Sequence, residues 1–147
     1  CINLYYMEEN MRREIVLASH GHLAEGLLDT LTMILGELPH PTRALCLLPG
    51  ESPDLLAREL EHEVREHPET RFIILVDLFG ASVFTSLCRL SPLDNAVIVA
   101  GMNVSLALAA LTEEDAPSER SLSRWGMAGI RGCREALQAE ANDRNDF

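Results

Sequence analysis

The chain is poor in aromatic residues, paired cysteines, positive charge and long apolar runs, and each shortage narrows what it can be. Phe, Trp and Tyr together make up 5% of the 147 residues. With so few rings, Trp125 and the phenylalanines read as core or interface residues rather than a stacking platform for bases. The first apolar run is also not followed by a serine- and threonine-rich phosphate loop, so a flavin-binding domain is disfavoured. The 12 Lys and Arg residues stand against 23 Asp and Glu, a formal net charge of −11. Such a balance disfavours nucleic acid and anionic membrane surfaces and suits a basic protein partner. No apolar stretch approaches the roughly 20 residues that a bilayer-spanning helix needs, so membrane insertion is not expected. Arg12-Arg13 runs straight into Glu14 and a short apolar run, unlike a secretion signal, and a cytoplasmic location is expected. The four cysteines, Cys1, Cys46, Cys88 and Cys133, contain no Cys-x-x-Cys pair. Cys46 lies in a strand-like run and Cys88 in a helical one, so buried reduced thiols are expected rather than a disulfide framework or a zinc site.

Apolar residues make up 47% of the chain, enough to argue against disorder and to build one domain with a real core. Residues 1–10 precede Met11 and read as an extension or expression remnant. Residues 11–141 carry the domain, and the polar residues 142–147 read as a frayed tail.

Within the domain, short apolar runs alternate with helical patterns. The run Glu14-Ile15-Val16-Leu17-Ala18-Ser19 ends in His20-Gly21, and Phe72-Ile73-Ile74-Leu75-Val76 ends in Asp77-Leu78-Phe79-Gly80-Ala81-Ser82. Both have the length and β-branched content of buried parallel strands. Arg43 to Leu48 and Ala96 to Ala100 supply two more, and the third strand spans 71–77. Helical spacing follows at Leu23 to Leu38, where Pro39 and Pro41 break it. A second helix opens at Ser52-Pro53-Asp54, with a serine cap and proline in the first turn. Its glutamates, with Arg58 and Arg65, read as a solvated face. Further helices are expected over 82–90, over 104–112 behind an Asn103 cap, and over 119–141, the last weakened by Gly126, Gly129 and Gly132. This alternation implies an α/β fold: a flavodoxin-like open sheet of four parallel strands in order 2-1-3-4, with helices on both faces.

In that order the first and third strands are neighbours at the switch point, which places His20 beside Asp77. If Asp77 accepts a hydrogen bond from Nδ1–H of the ring, Nε2 keeps a free lone pair and can attack phosphorus, with the carboxylate stabilising the cationic ring. Gly80, Ala81 and Ser82 open the following helix, where backbone N–H groups favour a phosphoryl group, and the hydroxyls of Ser82 and Ser19 are candidate donors to it. Nothing in this scheme requires a cofactor or a metal. His20-Gly21-His22 lacks further clustered ligands, so no metal site is expected there. His40, His62 and His67 read as surface residues. Gly101-Met102-Asn103 ends the fourth strand beside the same cleft and reads as either a site-lining backbone or a plain strand-to-helix turn.

At these residues the sequence resembles the enzyme IIA domain of the mannose family of the phosphoenolpyruvate-dependent sugar phosphotransferase system. The matching pieces are Ile15-Val16-Leu17-Ala18-Ser19-His20-Gly21, Ala24-Glu25-Gly26-Leu27-Leu28, Pro49-Gly50-Glu51, Leu75-Val76-Asp77-Leu78-Phe79-Gly80-Ala81-Ser82 and Gly101-Met102-Asn103, all in order over roughly residues 14 to 137. The resemblance implies that His20 accepts a phosphoryl group from the histidine-containing phosphocarrier protein and passes it to a IIB subunit. The IIB subunit serves sugar uptake through IIC and IID membrane subunits. It implies Asp77 as the residue that orients the ring and Ser82 as the serine beside the phosphohistidine. It also implies a homodimer that exchanges an extra C-terminal edge strand, although no strand-like run follows Leu137. Where the family usually reads Gly-Gly-Ser-Pro, this chain has Gly80-Ala81-Ser82-Val83. The related phosphocarrier subunit of a dihydroxyacetone kinase is the alternative, but its typical methionine-glycine-serine turn is absent here. A regulatory phospho-acceptor module without a transport role is the other. Nothing in the sequence names a sugar.

Overall fold

A computed structural model describes residues 11–145 of the chain, so the expected extension at 1–10 lies outside the described residues. Four strands, β1 (Arg12–His20), β2 (Thr42–Leu47), β3 (Thr70–Val76) and β4 (Ala96–Ala100), form one sheet in the order β2-β1-β3-β4. All three pairings are parallel. Among the described residues the α-helices are α1 (Leu23–Leu35), α2 (Pro53–Glu66), α3 (Ser82–Leu87), α4 (Val104–Thr112), α5 (Glu119–Ala128) and α6 (Cys133–Asn145).

Side chains alternate across each strand, and this divides the core into two layers. Ile15, Leu17, Ile73, Leu75, Val97 and Val99 face one way and pack with Leu27 and Leu31 of α1, Leu106 and Leu111 of α4 and Leu122 of α5. Val16, Ala18, Phe72, Ile74 and Val76 face the other way, against Leu60 and Val64 of α2 and Val83 and Leu87 of α3. The side chains of β1 from Ile15 to Ala18 and of β3 from Phe72 to Val76 are sealed from solvent. Each large one contributes about 1.5–3 kcal/mol by leaving water. The two central strands are thus the most firmly held part of the molecule, and their carboxyl ends carry His20 and Asp77.

Local chemistry sets the helix starts. Ser52 Oγ accepts from Leu55 N–H at 3.3 Å, with Pro53 beside it. Asn103 Oδ1 accepts from Leu106 N–H at 2.9 Å. Ser118 opens α5 with a capping box closed by Ser121. The glutamate-rich face of α2 is more than solvated surface. Glu63 and Glu14 both pair with Arg43 of β2, and Glu61 pairs with Arg65 and Arg89.

Four expectations need correction. α1 stops at Leu35, because Gly36 turns with φ 72° before the prolines are reached. The helix over 82–90 is α3 followed by a 3₁₀ turn, Cys88–Leu90. The single helix over 119–141 is two, α5 and α6, divided at Gly129 to Gly132. Among the described residues the sheet has four strands only. The C-terminal segment, where the resemblance leaves room for an edge strand, is helical through Asn145.

Candidate functional site

The site is built from the carboxyl ends of β1 and β3. Ala18 pairs with Val76 in register, so Asp77 leaves β3 beside Ser19 and His20, which remain paired with Cys46 and Leu47 of β2. Asp77 N–H still donates to Ala18 O at 3.1 Å, which fixes the aspartate against β1. Its Oδ2 then accepts twice from His20: from the backbone N–H at 2.9 Å and from ring Nδ1 at 2.8 Å. Oδ1 accepts from Leu78 N–H at 2.8 Å. Burial alone would push the Asp77 carboxyl upward. The hydrogen bonds from the His20 backbone and ring, with that from Leu78, outweigh it and hold the group below its ordinary value. Asp77 is therefore an anion at neutral pH, and an anion can only accept. Nδ1 is therefore the ring nitrogen that donates, and in the neutral ring it is Nε2 that keeps a lone pair.

The far side of the ring faces outward. The side chain of His20 is 41% exposed, against 11% for Asp77. Ser82 Oγ lies 3.0 Å from Nε2, within range to donate to the lone pair. Ser82 is brought there by a short turn. Gly80 adopts φ 77°, a conformation that costs other residues strain, and Ala81 N–H closes the turn on Leu78 O at 3.4 Å. Ala81 is the extended residue just before α3. Leu78 and Phe79 stand 60% and 77% exposed on this turn.

His20, Asp77 and Ser82 are thus brought together, with Gly80 and Ala81 forming the turn between the last two. Ser19 is not. Its side chain is fully buried, and its hydroxyl accepts from Ala24 N–H at 2.8 Å and donates to Gly21 O at 3.3 Å. The hydroxyl ties β1 to the first turn of α1, and its single proton is committed to Gly21 O, so it has none to donate to a phosphoryl group. The Gly101-Met102-Asn103 segment is a strand-to-helix turn: Met102 N–H donates to Val76 O at 3.0 Å, and Asn103 caps α4 while donating to Gly126 O at 3.1 Å. Two contributors escape sequence reasoning, the backbone N–H groups of His20 and Leu78, because every residue carries one and only the turn geometry aims them.

Fold and site together define an open parallel α/β domain with a surface imidazole, held by a carboxylate, at its topological switch point. The family described as PTS system fructose IIA component, of the mannose-type EIIA group, matches residues 14–123, and the chain belongs to this family. The sorbose-specific EIIA component of the phosphotransferase system (PTS) of Klebsiella pneumoniae is 30% identical over 94 residues, 63% of this chain and 68% of that protein. The mannose-specific EIIAB component of Escherichia coli strain K12 is 30% identical over 129 residues, 86% of this chain, but this stretch spans only 40% of that longer relative. Among solved structures, a mannose/sorbose specific IIA subunit from Enterococcus faecalis superposes with a TM-score of 0.71 at 22% identity, over 83% of this chain and 95% of that one. A PTS IIA protein associated with the fucose utilization operon of Streptococcus pneumoniae gives 0.68 at 28% identity, over 87% and 98%. Among the described residues no helix is long and apolar enough to cross a membrane.

Proposed function

We propose that this chain is a phosphohistidine carrier, with His20 as the accepting residue and Nε2 as the accepting atom. The observation that carries the reading is the asymmetry of the ring: Nδ1 is bonded to the anionic Asp77, while Nε2 is on the exposed side. In the transfer the Nε2 lone pair attacks phosphorus. The bond from phosphorus to the donor's ring nitrogen breaks, and its electron pair returns to that nitrogen. The ring of His20 becomes cationic, and Asp77 stabilises that charge without taking the proton. The Ser82 hydroxyl is displaced from Nε2 by phosphorus and then donates to a phosphoryl oxygen. The turn through Gly80 and Ala81 supplies backbone donors to the same group, Ala81 N–H by giving up its long bond to Leu78 O.

In this reading the donor is the histidine-containing phosphocarrier protein and the acceptor is a IIB subunit, which serves sugar uptake through IIC and IID membrane subunits. A ring at the surface, beside the exposed Leu78 and Phe79, suits a protein as donor better than a small molecule enclosed in a cleft. The reading makes the protein a cytoplasmic homodimer, for which the exposed Trp125, Met127 and Ile130 offer apolar surface. The experiment is intact-mass spectrometry after incubation with phosphoenolpyruvate, enzyme I and the phosphocarrier protein. The wild-type chain gains one phosphoryl group, and His20→Ala gains none. A wild-type chain that takes no label, or a His20→Ala chain that does, rejects the proposal.

A further inference from the structure

The turn after His20 assembles a second group of side chains that the phosphoryl-transfer reading does not use. Cys46 of β2 pairs in register with Ser19 and packs on the sheet face that α1 covers. Gly21 adopts φ 55°, and its N–H donates to Leu47 O at 2.9 Å. The chain leaving β1 is therefore still held alongside the end of β2. His22 then sits at the start of α1 and Glu25 in its first turn. As a result an imidazole nitrogen of His22, a Glu25 carboxylate oxygen and Cys46 Sγ all lie within 4.8 Å of one another. The His22 Nδ1 to Glu25 Oε2 separation is 2.9 Å.

We propose that His22, Glu25 and Cys46 bind a divalent transition-metal ion of the zinc class. Imidazole nitrogen, thiolate sulfur and carboxylate oxygen are the three donor types that such an ion takes, at roughly 2.0–2.3 Å each. A tetrahedral ion at those bond lengths spreads its ligand atoms about 3–4 Å apart. The three atoms lie within 4.8 Å of one another, and the exposed side chains of His22 and Glu25 are free to close the remaining gap. The thiolate selects zinc or cobalt over magnesium and calcium, which prefer oxygen ligands. The positive end of α1 opposes a bound cation, so the site depends on both anionic ligands, and the thiol proton leaves as the ion binds. Three protein ligands leave a fourth position open to water. A hydrogen-bonded His–Glu pair three residues apart on an exposed helix is ordinary by itself. The arrival of a cysteine from another strand is what makes the group a ligand set. The sequence hides it because only the fold brings Cys46 to His22.

The test is a titration of the reduced full chain with cobalt(II), read by absorbance. A site containing a thiolate gives a near-ultraviolet sulfur-to-cobalt charge-transfer band together with intense tetrahedral visible bands, and zinc then displaces both. Cys46→Ser is expected to abolish the charge-transfer band. His22→Gln and Glu25→Gln each weaken binding by about tenfold or more. His20→Ala, and a chain with Cys1, Cys88 and Cys133 all changed to Ser, keep the band. A wild-type chain without the band overturns the proposal, as does a band that survives Cys46→Ser or disappears in His20→Ala. None of these readouts depends on phosphoryl transfer, so this proposal and that of a phosphohistidine carrier fail separately.

Discussion

A single oxygen of Asp77 holds His20 at two points, its ring Nδ1 at 2.8 Å and its backbone N–H at 2.9 Å. The carboxylate therefore fixes both the tautomer of the ring and the path of the chain that carries it. Asp77→Asn keeps the shape and removes the charge. Its amide must also turn an NH₂ group either toward Leu78 N–H or toward His20, where the wild-type oxygens accept. Phosphoryl transfer to His20 is expected to slow on the order of 100-fold or more, as when other ring-orienting carboxylates are neutralised. Rapid-quench measurement of phosphoryl uptake from the phosphocarrier protein gives the rate, with the circular dichroism spectrum as a check on folding. A folded mutant that transfers at the wild-type rate removes the orienting role.

Ser82 acts on the opposite nitrogen and should matter less. Its hydroxyl stands 3.0 Å from Nε2 at an exposed position; transfer exchanges that bond for one to a phosphoryl oxygen, and the net gain is set at that of one ordinary hydrogen bond, about 0.5–1.5 kcal/mol. Ser82→Ala is expected to slow the same transfer by a factor of roughly 2 to 10, with little change in stability. The ordering is the informative part: a Ser82→Ala defect as large as that of Asp77→Asn would mean that the hydroxyl, not the carboxylate, organises the ring.

Much of this was legible in the sequence, for identifiable reasons. β4 and α4 begin and end where the apolar run Ala96 to Ala100 and the Asn103 cap place them. The strand order follows from the alternation of strands and helices, and it alone sets His20 against Asp77. Ser19 reads as a candidate donor because a hydroxyl at a strand end looks the same whether it faces a ligand or the next helix, and in the structure it bonds Ala24 N–H and Gly21 O. The tight turn at Gly21 decides the matter. Arg13 was invisible for a similar reason. It reads as one of a pair of charges before a strand, yet it is buried and donates to the carbonyls of Ala110 and Glu113 at the end of α4, at 3.1 and 2.8 Å. Nothing local announces a partner so far along the chain.

The depressed Asp77 carboxyl also predicts a pH dependence of stability. Burial would raise the group, but the hydrogen bonds from His20 and Leu78 win, and it lies below its ordinary value of 3.8 in the folded protein. A group lowered on folding adds stability that is present above its unfolded value and is lost as the pH falls through its folded value. Asp77→Asn lacks that increment at every pH. The difference in urea midpoint between wild type and Asp77→Asn is therefore expected to be constant near neutrality and to shrink as the pH drops below about 4. A difference that stays constant or widens in acid contradicts the assigned direction.

Glycine is held at position 129, where α5 ends, by a steric contact that a paired substitution can isolate. Gly129 has φ −76° and ψ −10°, ordinary right-handed backbone, so its conformation does not demand glycine. Space does: a Cβ at this position would overlap Ser105 Oγ and Cβ on α4. Gly129→Ala must push α5 away from α4, where Leu106 and Leu122 share the core. The expected loss is about 1–3 kcal/mol, as for other overpacked sites. Ser105→Gly alone removes the obstruction and costs about 0.5–1 kcal/mol through helix propensity. Because the two side chains occupy the same volume, the double mutant should be more stable than the sum of the single losses predicts, by about 1 kcal/mol or more. Urea unfolding of the four proteins in the cycle measures this directly. Strict additivity would mean that the α4–α5 contact at Gly129 and Ser105 is looser than described.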